Sequence, residues 1–185
     1  MRQTRISVRY AKALFDLTIE QKILEKVKTD MELIISVCKE NKDFRLLLQS
    51  PIINSKKKIS IIKALFEKHM QKISLKFLVI ITNKRREIYI ESIAKEFIKL
   101  FKEYKNITTT FFKTAVKIDT NSRNKILNIM KQQTGGEIEL IEEVKKELLG
   151  GFVLDYGDKK YDASILKQLE DLKKEFNINL YQKGF

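Results

Sequence analysis

The stretch at residues 144–165, VKKELLGGFVLDYGDKKYDASI, decides how the rest of the chain is read. It holds two of the six glycines side by side, Gly150 and Gly151, and a third at Gly157. The pair precedes Phe152, Val153 and Leu154, an apolar run short enough for a strand and too short for a helix. Gly157 with Asp158 predicts a turn, because glycine takes φ > 0 without steric cost and aspartate tolerates it. Asp162 and Ser164 then stand ahead of Ile165, Leu166, Leu169 and Leu172, whose spacing is helical. An Asp or Ser there predicts an N-cap, since its side-chain oxygen accepts from orphan amides. The stretch therefore reads strand, turn, strand, helix. Nothing before residue 105 reads that way.

Bulk properties bound the rest. The 185 residues allow one domain or two small ones, and a hydrophobic fraction of 43% suffices for a packed core. The single cysteine, Cys38, excludes an intramolecular disulfide framework and fits a reducing compartment. No apolar run approaches the roughly 20 residues that span a bilayer. The N-terminus lacks the apolar core of a secretory signal and runs straight into helical periodicity, so it is read as mature protein. The net charge is +13, unevenly shared: residues 1–105 carry 24 basic and 12 acidic residues, residues 106–185 carry 13 and 12. Such asymmetry suggests two modules with different partners; a lysine-rich genome would leave the same surplus.

The first half is helical by pattern. Ile6, Tyr10, Ala13, Leu14 and Leu17 recur at steps of three and four, while Val8, Ala11, Phe15 and Ile19 make a second stripe on the same helix. A surface helix needs only one wide stripe, so this helix is buried on two sides or keeps one side for a partner. A second helix is predicted over 23–38, with Cys38 as a small buried hydrophobe. A third, over 44–48, stops at Pro51, which disfavours α conformation in the residue before it. Asn54 or Ser55 caps a fourth over 56–69, whose opening lysines, Lys56, Lys57 and Lys58, oppose the helix dipole and read as a solvated charge run. A fifth helix, over 73–82, is predicted to face the core with Ile73, Phe77, Ile80 and Ile81, leaving Leu78 and Val79 displaced around the axis. A sixth, over 87–104, carries Ile90, Ile93, Ala94, Phe97, Ile98 and Phe101 on one stripe.

After residue 105 the composition turns β-branched and aromatic. Phe112, Thr114, Val116 and Ile118 alternate as a strand over 107–118. A helix over 120–133 ends at Gly135 and Gly136, and Ile138, Leu140, Glu142 and Val144 alternate as a second strand. The predicted fold class is thus α+β: an N-terminal all-α six-helix bundle over 1–105, followed by a small C-terminal α/β domain over 106–185.

No catalytic chemistry is legible. The chain has no phosphate loop, dinucleotide fingerprint, Cys-x-x-Cys, His-Glu-x-x-His or Gly-x-Ser-x-Gly. Its only histidine, His69, has no metal-ligand spacing around it. Glu142 and Glu143 point to opposite faces of a strand and cannot act as a pair. No cofactor, metal or catalytic residue is expected.

Four segments in order carry a resemblance: RYAKALFDL from Arg9, SPIINSKKK from Ser50, FLVIITNKRREIY from Phe77, and LLGGFVLDYGDKKYDASILKQLEDL from Leu148. Together they resemble the delta-subunit family of F-type ATP synthases, which includes the oligomycin-sensitivity-conferring protein. Thr18 stands where that family often has alanine, and Lys84 where it often has glycine. The resemblance implies a non-catalytic stator part, peripheral on the cytoplasmic face of a bacterial membrane or the stromal face of a thylakoid. It implies an N-terminal bundle that binds the N-terminal helices of the alpha subunits and a C-terminal domain that binds subunit b, with membrane association only through the complex. The positions matching the family's alpha-helix groove are Tyr10, Ala13, Leu14, Phe77, Leu78 and Val79; Gly150, Gly151, Gly157, Asp162 and Ser164 match its structural turns. The rival reading is a basic nucleic-acid-binding helical protein, with Lys56–Lys58 and Lys84–Arg86 on phosphates. Against it, no binding motif is present and the aromatics lie on apolar stripes. Attachment to a membrane surface by charge alone is a third reading.

Overall fold

A computed structural model describes residues 5–116, 118–119, 123–124, 126–128, 136–157 and 159–177. The chain forms two compact units, Met1–Tyr104 and Lys105–Phe185. Its described residues are helical in the first unit and carry a four-stranded sheet in the second, an α+β protein.

The first unit contains α1 (Arg5–Glu20), α2 (Leu24–Glu40), α3 (Lys42–Gln49), α4 (Ser55–Phe66), α5 (Lys72–Asn83) and α6 (Ile90–Tyr104), with a 3-10 turn at Glu87–Tyr89. Helix α6 packs against α1 and α2, and α4 against α5. Phe97 of α6 meets Phe15 of α1 edge to face, with ring centroids 5.7 Å apart. Side chains set the helix starts. The Asn41 side chain accepts from Phe44 N at 3.1 Å, and that of Asn54 from Lys56 N at 3.2 Å. Helix α5 has no cap of its own; Asp30, buried on α2, accepts from Gln71 N at 3.0 Å and from Ser74 Oγ. One helix thus caps another, tying α2 to α5 through orphan amides.

Small polar residues sit in this core where sequence patterning places large apolar ones. The buried face of α1 is Ser7, Ala11, Leu14, Phe15 and Thr18, and that of α5 is Ser74, Leu78, Ile81 and Thr82. Each hydroxyl is satisfied: Ser7 by Ser92 at 2.7 Å, Thr18 by the Phe15 carbonyl at 2.7 Å, Thr82 by the Leu78 carbonyl at 2.8 Å. A satisfied hydroxyl costs little to bury, so these faces pack closely and turn the larger side chains outward. Ile80, expected in the core, is 53% exposed, while Leu78, expected off it, is buried. In α4, Leu65 is half-exposed and Lys58 fully buried. The expected solvated lysine run is therefore corrected at Lys58. The helix also ends at Phe66, three residues early, leaving His69 in a turn.

The second unit contains β1 (Ile107–Thr114), β2 (Glu137–Val144), β3 (Phe152–Tyr156), β4 (Lys159–Asp162) and α7 (Ile165–Asn177). The sheet order is β2-β1-β3-β4, with β1 parallel to β2 and antiparallel to β3. A parallel pair needs a crossover of a dozen or more residues, which residues 115–136 supply. Most of the helix expected over 120–133, and Gly135, lie outside the described residues; 123–124 and 126–128 are helical. Phe112 and Leu154 are the buried centre, with Ile138, Leu140 and Phe152 against them. Strand β1 stops at Thr114, short of the expected Ile118. The Thr114 hydroxyl donates to the Val116 carbonyl at 2.8 Å, closing a local turn, and Val116 is 73% exposed.

Candidate helix-binding groove

Between α1 and α5 the outward-turned apolar side chains line an open cleft of about 420 Å³, formed by Leu14, Leu17, Ile73, Phe77 and Ile80 with Gln21, Lys72 and Lys76 at its edges. A second cleft of about 360 Å³ is lined by Arg9, Tyr10, Ala13, Lys84 and Arg86. The Tyr10 and Phe77 rings meet edge to face at 6.4 Å and join the two. The start of α1 faces the end of α5 at the cationic cleft and the reverse holds at the apolar one, so the helices run antiparallel.

The six positions from the sequence divide. Tyr10 and Phe77 are half-buried and share the ring contact; Ala13 is exposed beside Tyr10; Leu14 is the 1% exposed floor. Leu78 does not reach the groove, because it packs inward at 2% exposure. Val79 is half-buried and lines neither cleft. Sequence reasoning missed Ile73 and Ile80, which it assigned to the core. The readable signal was Ser74 and Thr82, eight residues apart and in phase with Leu78 and Ile81.

Arg86 closes the Tyr10 end. Its Nη1 donates to the Tyr10 hydroxyl at 2.7 Å, and its guanidinium carbon lies 5.5 Å from the ring centroid, a cation–π arrangement. The corner before it is tight: Arg85 takes φ +55°, and Arg86 N donates to the Ile81 carbonyl at 3.0 Å. The left-handed position that closes α5 is thus Arg85, while Lys84, at φ −81°, needs no glycine.

The turns of the second unit also have defined causes. Gly151 takes φ +72°, and a Cβ there would lie 2.1 Å from the Ala163 carbonyl oxygen; a Cβ on Gly150 would lie 2.4 Å from Ile165 Cδ1. Gly157 takes φ +53° in open space. Ser164 Oγ accepts from Lys167 N at 3.2 Å and so caps α7, while Asp162 Oδ1 accepts from Ser164 N and Oγ at 3.1 and 2.7 Å. Those bonds hold the Asp162 carboxyl below its usual range, chiefly through the Ser164 hydroxyl.

Burial pushes the Cys38 thiol up to about 11, the wrong direction for a nucleophile. Among the described residues no group of His, Cys, Asp or Glu is placed to hold a metal ion, and no helix is long and apolar enough to cross a membrane.

The model of the family "ATP synthase delta (OSCP) subunit" matches residues 6–176. The chain belongs to that family. It is 34% identical over 176 residues to the ATP synthase subunit delta of Cytophaga hutchinsonii, covering 95% of this chain and 96% of the relative. It is 33% identical over 181 residues to that of Christiangramia forsetii, covering 98% of each. Its fold matches a chain in the cryo-EM structure of the Toxoplasma gondii mitochondrial ATP synthase hexamer, with a TM-score of 0.73 at 21% identity over 94% of this chain and 98% of that one. As a member of the delta (OSCP) family, the chain has the role of a structural stator subunit, peripheral and non-catalytic. The nucleic-acid reading is not favoured.

Proposed function

We propose that this delta-family chain ties the catalytic head of an F-type ATP synthase to its peripheral stalk by gripping one neighbour with each unit. Residues 1–105, folded as a six-helix bundle, take the N-terminal helices of the alpha subunits into the α1/α5 groove. Residues 106–185 bind the end of subunit b, so that rotor torque drives ATP synthesis coupled to proton transport instead of turning the head. The chain meets the membrane only through the complex, on the cytoplasmic face of a bacterial membrane or the stromal face of a thylakoid.

The observation that carries this reading is the open apolar strip of Leu17, Ile73, Phe77 and Ile80 beside the small Ala13. Leu17 and Ile80, 39% and 53% exposed, each have roughly 1 kcal/mol of burial still to gain from a partner. Exposed ion pairs contribute only about 0–1 kcal/mol. The apolar strip therefore sets residence time, which must outlast many turnovers. A helix laid into such a groove is a known recognition mode. Pull-down of the full chain against separate alpha and b subunits tests it. Retention of both supports the reading, and failure to retain alpha overturns the assignment of the groove.

A further inference from the structure

We infer that the helix accepted by the α1/α5 groove is an acidic amphipathic one, with carboxylates on its flank beside Tyr10, and that Arg86 is the residue that selects it. The inference rests on the groove reading above and adds the chemistry of the partner.

Positive charge around the groove is left without a counterpart. Arg9, Lys84 and Arg86 surround the cleft at Ala13, and Lys72 and Lys76 edge the apolar one; no acidic residue lines either. Among the described residues none of these five cations has a carboxylate partner. Other helices of the unit bring their own: Lys28 pairs with Glu32, Lys95 with Glu91 and Lys99 with Glu103, each one turn apart. Helix α5 contains no acidic residue at all. On α1, Asp16 and Glu20 stand toward the far end, away from Tyr10. The positive surplus is therefore uncompensated where Tyr10, Ala13 and Arg86 meet.

The local geometry suits a carboxylate better than a general anionic surface. Arg86 commits one of its five N–H donors to the Tyr10 oxygen. That oxygen, as acceptor, leaves its own O–H free to donate outward. A partner carboxylate can then take the Tyr10 hydroxyl and a further guanidinium N–H together, a charge-assisted pair of bonds with a fixed direction. The ring beneath the guanidinium fixes the fork, and Ala13 leaves room for the approaching helix.

The test uses the full chain and designed amphipathic peptides of about five turns that share one leucine stripe. One peptide carries two glutamates on the flank that meets Tyr10, a second has glutamines there, and a third lysines. At low salt the glutamate peptide is expected to bind roughly tenfold tighter than the glutamine peptide. That margin should shrink above ~0.1 M salt, where screening acts within about 10 Å. Arg86→Gln should bring the two affinities within about twofold of each other, the glutamate peptide losing most. Arg86→Glu should invert the preference toward the lysine peptide, a rescue that a merely structural arginine would not produce. Equal binding of glutamate and glutamine peptides, or a preference that survives Arg86→Gln, overturns the inference. So does Arg86-dependent binding to vesicles of anionic phospholipid without discrimination among the peptides, which would mark a membrane surface instead. Ala13→Asp separates the two levels: it should weaken both peptides, the glutamate one more because a carboxylate then stands beside Arg86. If it weakens neither, the groove reading fails along with the selectivity.

Discussion

Lys58 Nζ lies 2.6 Å from Glu87 Oε1, joining the first turn of α4 to the 3-10 turn after α5, and both side chains are withdrawn from solvent. Nζ also donates to the Leu48 carbonyl at 3.1 Å, so the end of α3 belongs to the same knot. The other carboxylate oxygen, Glu87 Oε2, is buried without a hydrogen-bond partner among the described residues. The pair fixes the corner that carries Arg86, one residue away, toward Tyr10.

Removing one member of a buried pair strands the other charge. Lys58→Ala is expected to cost about 3–5 kcal/mol, whereas Lys58→Met combined with Glu87→Leu should lie within about 2 kcal/mol of the parent. Urea unfolding followed by helical circular dichroism separates the cases. A double variant as damaged as the single would show that shape, not stranded charge, sets the cost.

Asp30 gives a pH dependence with a defined sign. Burial raises its carboxyl above the ordinary 3.8, against the lowering effect of its bonds from Ser74 and Gln71. The protonated form is therefore favoured by folding, and its stabilising contribution is full below 3.8 and lost as pH rises through the elevated value. Asp30→Asn keeps an acceptor for Gln71 N but cannot titrate. The stability of the parent relative to this variant should fall as pH is raised from 3.8 through the acidic range; a difference flat in pH contradicts the assignment.

The two left-handed glycines should respond differently to alanine. At Gly157 nothing lies within 4 Å of a new Cβ, so the cost is the conformational one, about 1 kcal/mol. At Gly151 the Ala163 carbonyl blocks the Cβ as well, adding roughly 1–3 kcal/mol of overpacking. Amide exchange in β3 and α7 reads both, and equal effects would refute the close approach.

Much of the second unit was legible because its signals are local. A double glycine, a Gly-Asp turn and an Asp-x-Ser helix start each act within a few residues, and β3, β4 and α7 follow from them. The end of β1 was not legible, because whether Val116 pairs depends on a Thr114 hydroxyl that donates to the carbonyl two residues on. In the first unit, periodicity found the helices and the buried faces of α2 and α6, but misjudged that of α5. Apolar counting sends Ile73 and Ile80 inward, yet Ser74 and Thr82 take those places because Asp30 and the Leu78 carbonyl satisfy them. Lys58 misled for the same reason: its partner Glu87 is 29 residues away, and no local pattern announces it. Of the groove, Tyr10, Ala13, Leu14 and Phe77 were placed by family resemblance, whereas Leu17, Ile80 and the Arg86 clamp needed the fold.

In the proposed function the α1/α5 groove holds a helix of the alpha subunit. Calorimetric titration of the full chain with a synthetic alpha-subunit N-terminal peptide, before and after Ala13→Asp, tests this most directly. Ala13 is exposed, so the variant should fold and melt as the parent does, yet a charge beside Tyr10 should weaken binding at least tenfold. Unchanged affinity in a normally folded variant would contradict the central claim.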